Sequence, residues 1–341
     1  MKMNWHDLIH KAIEREASDI HFTVDQRPHM RCLGVLQPMD GCLLTKAFMT
    51  DICAVIFNSA QQEQLERERE IDLSWTFAGR RFRVHAYYQQ NWLALAFRLL
   101  PEQIPTLAAL RAPKVWQKMK ELSQGLILVT GRTGAGKSTT LAAFIEELNR
   151  EKSHHIITLE DPIEYIFRPD KCFISQRELG RDFLSFASAL KGSLREMPDI
   201  VLVGEIRDGE TLATALAAAS AGILVLGTLH SATAADAMLR MEGLFPLEER
   251  ISLRYLLAEV LRGVFAQRLV TDTRGGRIAI TEVLLANPTV CSLIRQGKYS
   301  QLSSVMLSQQ AMGMQTMNVA AQQLWQAGLI ERSILDKIGG I

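Results

Sequence analysis

Eight consecutive residues hold the densest chemical signal in the chain, Gly131-Arg-Thr-Gly-Ala-Gly-Lys-Ser138. They match G-x-x-x-x-G-K-[ST]. In that loop, backbone N–H groups cradle phosphates, the lysine reaches the β- and γ-phosphates, and the hydroxyl ligates Mg²⁺. Lys137 and Ser138 take the last two roles here, and Gly131, Thr133, Gly134, Ala135, Gly136 and Thr139 complete the expected cofactor-binding set. Such a loop works between a strand and a helix N-terminus, where the helix dipole also favours negative charge. Both flanks are present: Gly125-Leu-Ile-Leu-Val-Thr130 is an apolar run suited to a buried strand, and residues 139–149 carry apolar side chains at helical spacing. The expected ligand is ATP or GTP.

Further along, Ile200-Val-Leu-Val-Gly-Glu205 is another apolar run, and it ends in a carboxylate. At the carboxyl edge of a strand beside the phosphate loop, Glu205 would hold Mg²⁺ through water or orient a nucleophile. The plainer alternative is an ordinary strand with a surface turn; the position of Glu205, 68 residues after Lys137, favours the functional reading. Glu160-Asp-Pro-Ile-Glu164 adds three carboxylates past a further strand-like run. They suit polarisation of water toward a γ-phosphate, and they suit a helix cap and solvated turn equally well. His230, in Gly227-Thr-Leu-His230-Ser, ends a fourth strand, and a lone histidine more often serves structure than catalysis.

The elements that must position these groups are legible as a pattern. Residues 5–17 read as an amphipathic helix, 19–24 as a strand, 47–56 as a helix and the charged run 61–70 as a solvated helical face. Strands follow at 71–77, 81–88 and 93–99, then a proline-punctuated stretch from Pro101 to Pro113 that reads as a linker. From residue 114 strands and helices alternate, with strands at 126–130, 155–159, 200–203 and 223–227, which implies a parallel sheet covered on both faces. Beyond Leu247 the period is mostly helical, with a possible hairpin near 273–280 turning at Gly275-Gly276.

Composition narrows the class. The chain has 341 residues, 48% hydrophobic and 22% charged, with a formal net charge of +1, which argues against a general electrostatic grip on nucleic acid. Cys32, Cys42, Cys53, Cys172 and Cys291 form no C-x-x-C pair, so reduced cytosolic thiols are expected rather than a zinc site or disulfides. The N-terminus lacks the apolar core of a signal peptide. Residues 212–229 carry no charge, but their Ala-rich first half and Gly222 indicate a buried helix followed by a core strand rather than a membrane span. A soluble protein is expected.

The boxes, in this order, resemble the type II/type IV secretion ATPases: the phosphate loop, Glu160-Asp-Pro-Ile-Glu164, Gly204-Glu-Ile-Arg-Asp208 and Gly227-Thr-Leu-His230. Within that family the chain is most similar to the PilT-type pilus retraction motors. Ala17-Ser-Asp-Ile-His-Phe22, Arg81-Phe-Arg-Val84, Phe97-Arg98, Gln267-Arg-Leu269 and Gly313-Met-Gln-Thr-Met317 extend the likeness over nearly the whole chain. The resemblance implies that Glu164 is the general base, Glu205 the Walker B glutamate on the metal, and His230 the second histidine of the His box. It implies phosphate-side cations at Arg195, with Lys191 one helical turn earlier, and at Arg83 and Arg98 from the N-terminal domain. Fixed cations suit the charge on a transferring phosphoryl group. Three positions depart from the family pattern: Ile223 replaces the first His-box histidine, Met197 an acidic residue, and Cys291 the arginine of an Ala-Ile-Arg motif.

The fold implied is α/β: a PAS-like N-terminal domain over residues 1–100, a linker over 101–113, and a RecA-like P-loop ATPase domain with a helical C-terminal portion over 114–341. The function implied is a homohexameric ring that hydrolyses ATP with Mg²⁺ and powers type IV pilus retraction. It would act in the cytoplasm at the inner face of the inner membrane, held there peripherally by a platform protein, with no nucleic acid as partner. A pilus assembly or secretion motor of the same family is the alternative, though such motors usually carry a longer N-terminal domain and often a tetracysteine insert. A RecA-like nucleic-acid translocase would show nucleic-acid-stimulated turnover and stacking aromatics. Glu164 and Glu205 count against a non-hydrolysing regulatory homologue.

Overall fold

The computed structural model describes residues 4–32 and 34–339, which fall into two compact units, Met1–Gln103 and Ile104–Ile341. In the first unit the helices are α1 (Trp5–Glu14), α2 (Lys46–Ile56) and α3 (Ser59–Glu68). Asn4, Thr45 and Asn58 cap them through side-chain oxygens, each satisfying a backbone N–H that a helix start leaves unpaired. The strands are β1 (Asp19–Thr23), β2 (His29–Cys32), β3 (Val35–Pro38), β4 (Glu70–Phe77), β5 (Arg80–Gln89) and β6 (Trp92–Leu99). They form an antiparallel sheet in the order β3-β2-β1-β6-β5-β4.

Period-two alternation gives that sheet one apolar and one polar face. Ile20, Phe22, Met30, Phe82, Val84 and Phe97 are buried in one core with apolar residues of the helices. Asp19, Arg83 and Arg98 fall at the opposite phase, where Arg83 and Arg98 are direct cross-strand partners. β2 and β3 have no counterpart in the sequence reading. Met30 is the only buried residue of β2, and β3 leaves Val35 and Leu36 exposed, so neither segment carries an alternation to detect.

The second unit holds the strands β7 (Gly125–Thr130), β8 (His155–Glu160), β9 (Phe173–Glu178), β10 (Ile200–Val203), β11 (Leu224–Leu229), β12 (Leu261–Thr271) and β13 (Arg277–Leu285). They make one sheet in the order β13-β12-β7-β11-β10-β8-β9, parallel except for β13, which runs antiparallel to β12. Both faces are covered, as a parallel sheet requires. On β7, Leu126 and Leu128 enter one apolar cluster while Ile127 and Val129 enter the other.

Along the second unit the helices are α4 (Trp116–Met119), α5 (Lys137–Glu151), α6 (Phe186–Ser193), α7 (Gly209–Ser220), α8 (Ala234–Gly243) and α9 (Arg250–Val260). Then come α10 (Pro288–Gln296), α11 (Leu302–Ser308), α12 (Met317–Gln326) and α13 (Arg332–Gly339). α5 packs in one cluster with Trp116, whose ring stacks on Phe265 at 4.0 Å between centroids, while α6 to α9 pack on the other face. Each buried aliphatic side chain contributes about 1.5–3 kcal/mol.

Some segments differ in detail from their sequence reading. The fourth strand ends at Leu229, so His230 is the first residue past it. The expected short hairpin is a long one, its strands starting at Leu261 and ending at Leu285. β9 was not anticipated; Phe-Ile-Ser-Gln-Arg-Glu is an edge strand with an exposed Phe173, and its apolar content is too low to read as core. The charge-free stretch 212–229 divides into the end of α7 and β11, and among the described residues no helix is long and apolar enough to cross a membrane.

Candidate active site

The parallel strands deliver their functional residues to one edge of the sheet, the carboxyl edge where α/β folds bind ligands. β7 runs straight into the phosphate loop, and α5 starts at Lys137 directly after Gly136, which has a left-handed φ of 87°. Gly131 cannot carry a side chain: a Cβ there would collide with the Gln267 carbonyl oxygen and lie 2.8 Å from the Ala135 Cβ. Gly134 and Gly136 face open space. No side chain caps α5, whereas Ser185, Asp208, Thr233, Asn287 and Thr316 cap α6, α7, α8, α10 and α12. The free N–H groups and dipole of α5 are therefore available to an anion.

Lys137 is buried, and its ammonium donates to the carbonyls of Gly131 at 2.8 Å and Arg132 at 3.2 Å. Burial pushes it below its ordinary value, against the carboxylates of Glu205 and Glu164, which favour the charged form. Ser138 is exposed. The next two hydroxyls are engaged, Thr139 with the Tyr165 hydroxyl at 3.0 Å and Thr140 as acceptor from Gln267 Nε2 at 2.8 Å. Gln267 thus supports the loop from β12 twice, through its side chain under α5 and its carbonyl against Gly131.

Glu205 follows β10 after Gly204, a glycine hemmed in by the Leu159 carbonyl 2.9 Å from where a Cβ would sit. One carboxylate oxygen of Glu205 meets Arg207 Nη2 at 2.7 Å and the other meets His230 Nε2 at 3.1 Å. Arg207 also lies 3.7 Å from Asp161. Burial alone would raise the Glu205 carboxyl, but the Arg207 hydrogen bond and charge, aided by His230 and Lys137, hold it below its ordinary value. His230 is pushed down by burial and by the Lys137 charge, more than Glu205 lifts it. The result is an ionised carboxylate between a guanidinium and an imidazole that favours its neutral form.

Residues 161–168 form a loop held by three hydrogen bonds to side chains of β9. Ile163 N–H donates to the buried Glu178 carboxylate at 3.1 Å, Gln176 Nε2 to the Tyr165 carbonyl at 2.8 Å, and Phe167 N–H to Gln176 Oε1 at 2.9 Å. With Tyr165 tied to Thr139, the unexpected strand β9 and α5 fix the backbone that presents Glu164. Glu160 is engaged otherwise, accepting from Thr158 at 2.6 Å and Gln176 at 3.3 Å. Glu164 is half-buried, makes no hydrogen bond among the described residues, and lies near enough to Lys137 to act on its ionisation. Of the three carboxylates in the box it is the one left for an incoming group.

Lys137, Glu164, Glu205 and His230 therefore come together. Arg195 sits on a single 3-10 turn after α6, exposed and without a hydrogen bond or ion pair among the described residues; Lys191 is exposed in the last turn of α6. Arg83 and Arg98 belong to the first unit, where Arg83 pairs with Asp72 at 3.4 Å and Arg98 with Asp19 at 3.2 Å. Arg207, Tyr165 and Thr130 were given no role from sequence, and Gln267 entered only as the first residue of the Gln267-Arg-Leu269 motif. Arg207 stood inside the Gly204–Asp208 box and Gln267 inside the Gln267–Leu269 motif, so their signals were present; Tyr165 and Thr130 are recognisable only by contacts distant in sequence. Of the departures, Met197 is exposed at a left-handed φ of 50°, Ile223 packs against the core beside β11, and Cys291 packs against it from α10.

The type II/IV secretion system protein family matches residues 106–331. The type IV pilus retraction ATPase PilT of Pseudomonas aeruginosa is 39% identical over 327 residues, covering 96% of this chain and 95% of that protein. A twitching motility protein of Neisseria gonorrhoeae is 45% identical over 305 residues, covering 89% of this chain and 82% of its own length. A crystal structure of the pilus retraction motor PilT with bound ADP superposes with a TM-score of 0.91 at 40% identity, covering 98% of this chain and 96% of that one. By its family match and by relatives aligned along almost its full length, the chain belongs to the type II/IV secretion system protein family.

Proposed function

We propose that this protein is an ATPase that powers type IV pilus retraction. The observation that carries the reading is the likeness to a retraction ATPase along the whole chain, at a site whose phosphate loop, Glu205 and His230 meet at one sheet edge. The phosphates lie on the uncapped start of α5, held by backbone N–H groups of Gly131 to Thr139 and by the Lys137 ammonium. Mg²⁺, when bound, neutralises phosphate charge, with the Ser138 hydroxyl and Glu205 on its side of the site. Glu164 orients the attacking water and accepts its proton. His230 and Arg207 keep Glu205 ionised and aimed. Arg195, Arg83 and Arg98 supply positive charge to the transferring phosphoryl group, the last two by approach of a first unit to the site.

The working assembly is a homohexamer on the cytoplasmic face of the inner membrane, engaged with a membrane platform protein that links it to the pilus. The experiment is deletion of the gene with pili counted by microscopy. Retraction predicts pili that persist or accumulate while surface movement stops. Bald cells with pilin held in the membrane would make the protein an assembly motor.

A further inference from the structure

We propose that Glu282 is a positioning residue that couples the His230 loop to helix α12, so that the nucleotide site and the C-terminal helices move as linked parts. It lies on β13, 4% exposed, and each of its carboxylate oxygens accepts a different backbone N–H. Oε1 takes that of Ala234 at 2.8 Å and Oε2 that of Met317 at 3.2 Å. Ala234 is the first residue of α8 and Met317 the first of α12. Two helix N-termini thus converge on one buried carboxyl group, and their dipoles act against its desolvation. Burial still raises the carboxyl above its ordinary value, with the two N–H groups acting against that.

The path back to the phosphate loop is short. Residues 230–233 join β11 to α8, and Thr130, the residue before Gly131, fixes their near end. The Thr130 hydroxyl places its one proton toward the Ser231 carbonyl at 2.8 Å, with the Leu229 carbonyl at 3.2 Å as second acceptor, and accepts the Ser231 N–H at 2.9 Å. Glu282 fixes the far end through Ala234, and between them His230 reaches Glu205. On the other side, the run before α12 is stitched to β13. Val283 and Gln315 exchange backbone hydrogen bonds at 2.8 and 3.1 Å, and Gln315 Nε2 donates to the Thr281 carbonyl at 2.7 Å. A shift of α8 with the His230 loop must therefore either carry α12 with it or leave a buried N–H unpaired, which is why the carboxylate transmits motion. Gly313-Met-Gln-Thr-Met317 supplies the bridge residue Gln315, the cap Thr316 and the first residue of α12 to that link.

This inference rests on the ATPase reading, and its test separates the two. Hydrogen exchange of the full chain is followed by mass spectrometry, alone and with ADP or ATPγS, together with ATP turnover. In the wild type, nucleotide changes exchange of the amides at residues 316–319 by about fivefold or more, the usual scale of coupling between sites. Glu282→Gln keeps one acceptor oxygen and loses the other. It binds both nucleotides with wild-type affinity, loses kcat with KM unchanged, and no longer passes the nucleotide response to residues 316–319. Glu282→Asp, which keeps the carboxylate, recovers part of that response. Absence of ATP turnover in the wild type defeats the ATPase reading and the coupling with it. Turnover with no nucleotide response at residues 316–319 in the wild type defeats the coupling alone, whether or not the variants fold. A Glu282→Gln protein that keeps both kcat and the response overturns it as well.

Discussion

Glu205 is held in a state that its burial opposes. The Arg207 guanidinium opposes that burial most strongly, with His230 and Lys137 aiding it, so removing Arg207 has a definite sign. In Arg207→Ala burial prevails and the carboxyl protonates at higher pH. The acid limb of the kcat–pH profile should move to higher pH. The stability linkage has the same root. With its folded value below the unfolded one, Glu205 stabilises the native state above the unfolded pKa and loses that contribution as pH falls. An acid limb unchanged in Arg207→Ala would show that another group controls it. The proposed catalytic residues separate by kinetics. Lys137→Ala should lose binding and turnover together, because it removes the phosphate cation. Glu164→Gln and Glu205→Gln should retain bound ATP while kcat falls by about 10²-fold or more, the scale of a positioned acid or base. Wild-type turnover in Glu164→Gln would remove it from the role of base.

Among the elements, the junction of β7, the phosphate loop and α5 tolerates least. Gly131 packs against the Gln267 carbonyl and Ala135, so Gly131→Ala must displace either β12 or the loop. Gly131→Ala should abolish measurable nucleotide binding in calorimetry while leaving the far-UV spectrum near that of the wild type. Gly134→Ala is the control: its added methyl meets no atom, and its positive φ alone costs about 1 kcal/mol, so weakened but measurable binding is expected. The contrast separates a steric requirement from a conformational one. β9 and α5 do for Glu164 what β12 does for the loop, through Glu178, Gln176 and Thr139.

For the molecule as a whole, the phosphate loop lies in the second unit and Arg83 and Arg98 lie in the first. If those arginines serve the phosphates from a neighbouring copy, ATPase activity per mole should rise with protein concentration as rings assemble. Mixing Arg98→Ala with Lys137→Ala subunits should then restore part of the activity that neither has alone. A dilute sample, monomeric by sedimentation, with full activity would exclude a role for assembly. Cys291 is far in sequence from every phosphate-binding motif and packs against the core from α10. Cys291→Arg should hydrolyse ATP as the wild type does, and a changed turnover number would place α10 on the path between nucleotide and work.

The sequence by itself determined whatever depends on short-range pattern. Gly131 to Ser138 declares a phosphate site because glycine spacing, one lysine and one hydroxyl suffice to define it, and because an apolar strand and an amphipathic helix must flank it. The buried parallel strands were legible from continuous apolar runs, and the family resemblance from boxes in fixed order. Tertiary structure decided which carboxylate does what. Glu160, Asp161 and Glu164 are alike in type and adjacent in sequence; packing ties Glu160 to Thr158 and Gln176, puts Asp161 beside Arg207, and leaves Glu164 toward Lys137. Glu282 between two helices carries no local signal, and the Gln267-Arg-Leu269 motif does not by itself place Gln267 beneath the phosphate loop. Each acts through a partner more than thirty residues away, and only the assembled sheet with its helices brings such groups within hydrogen-bonding reach.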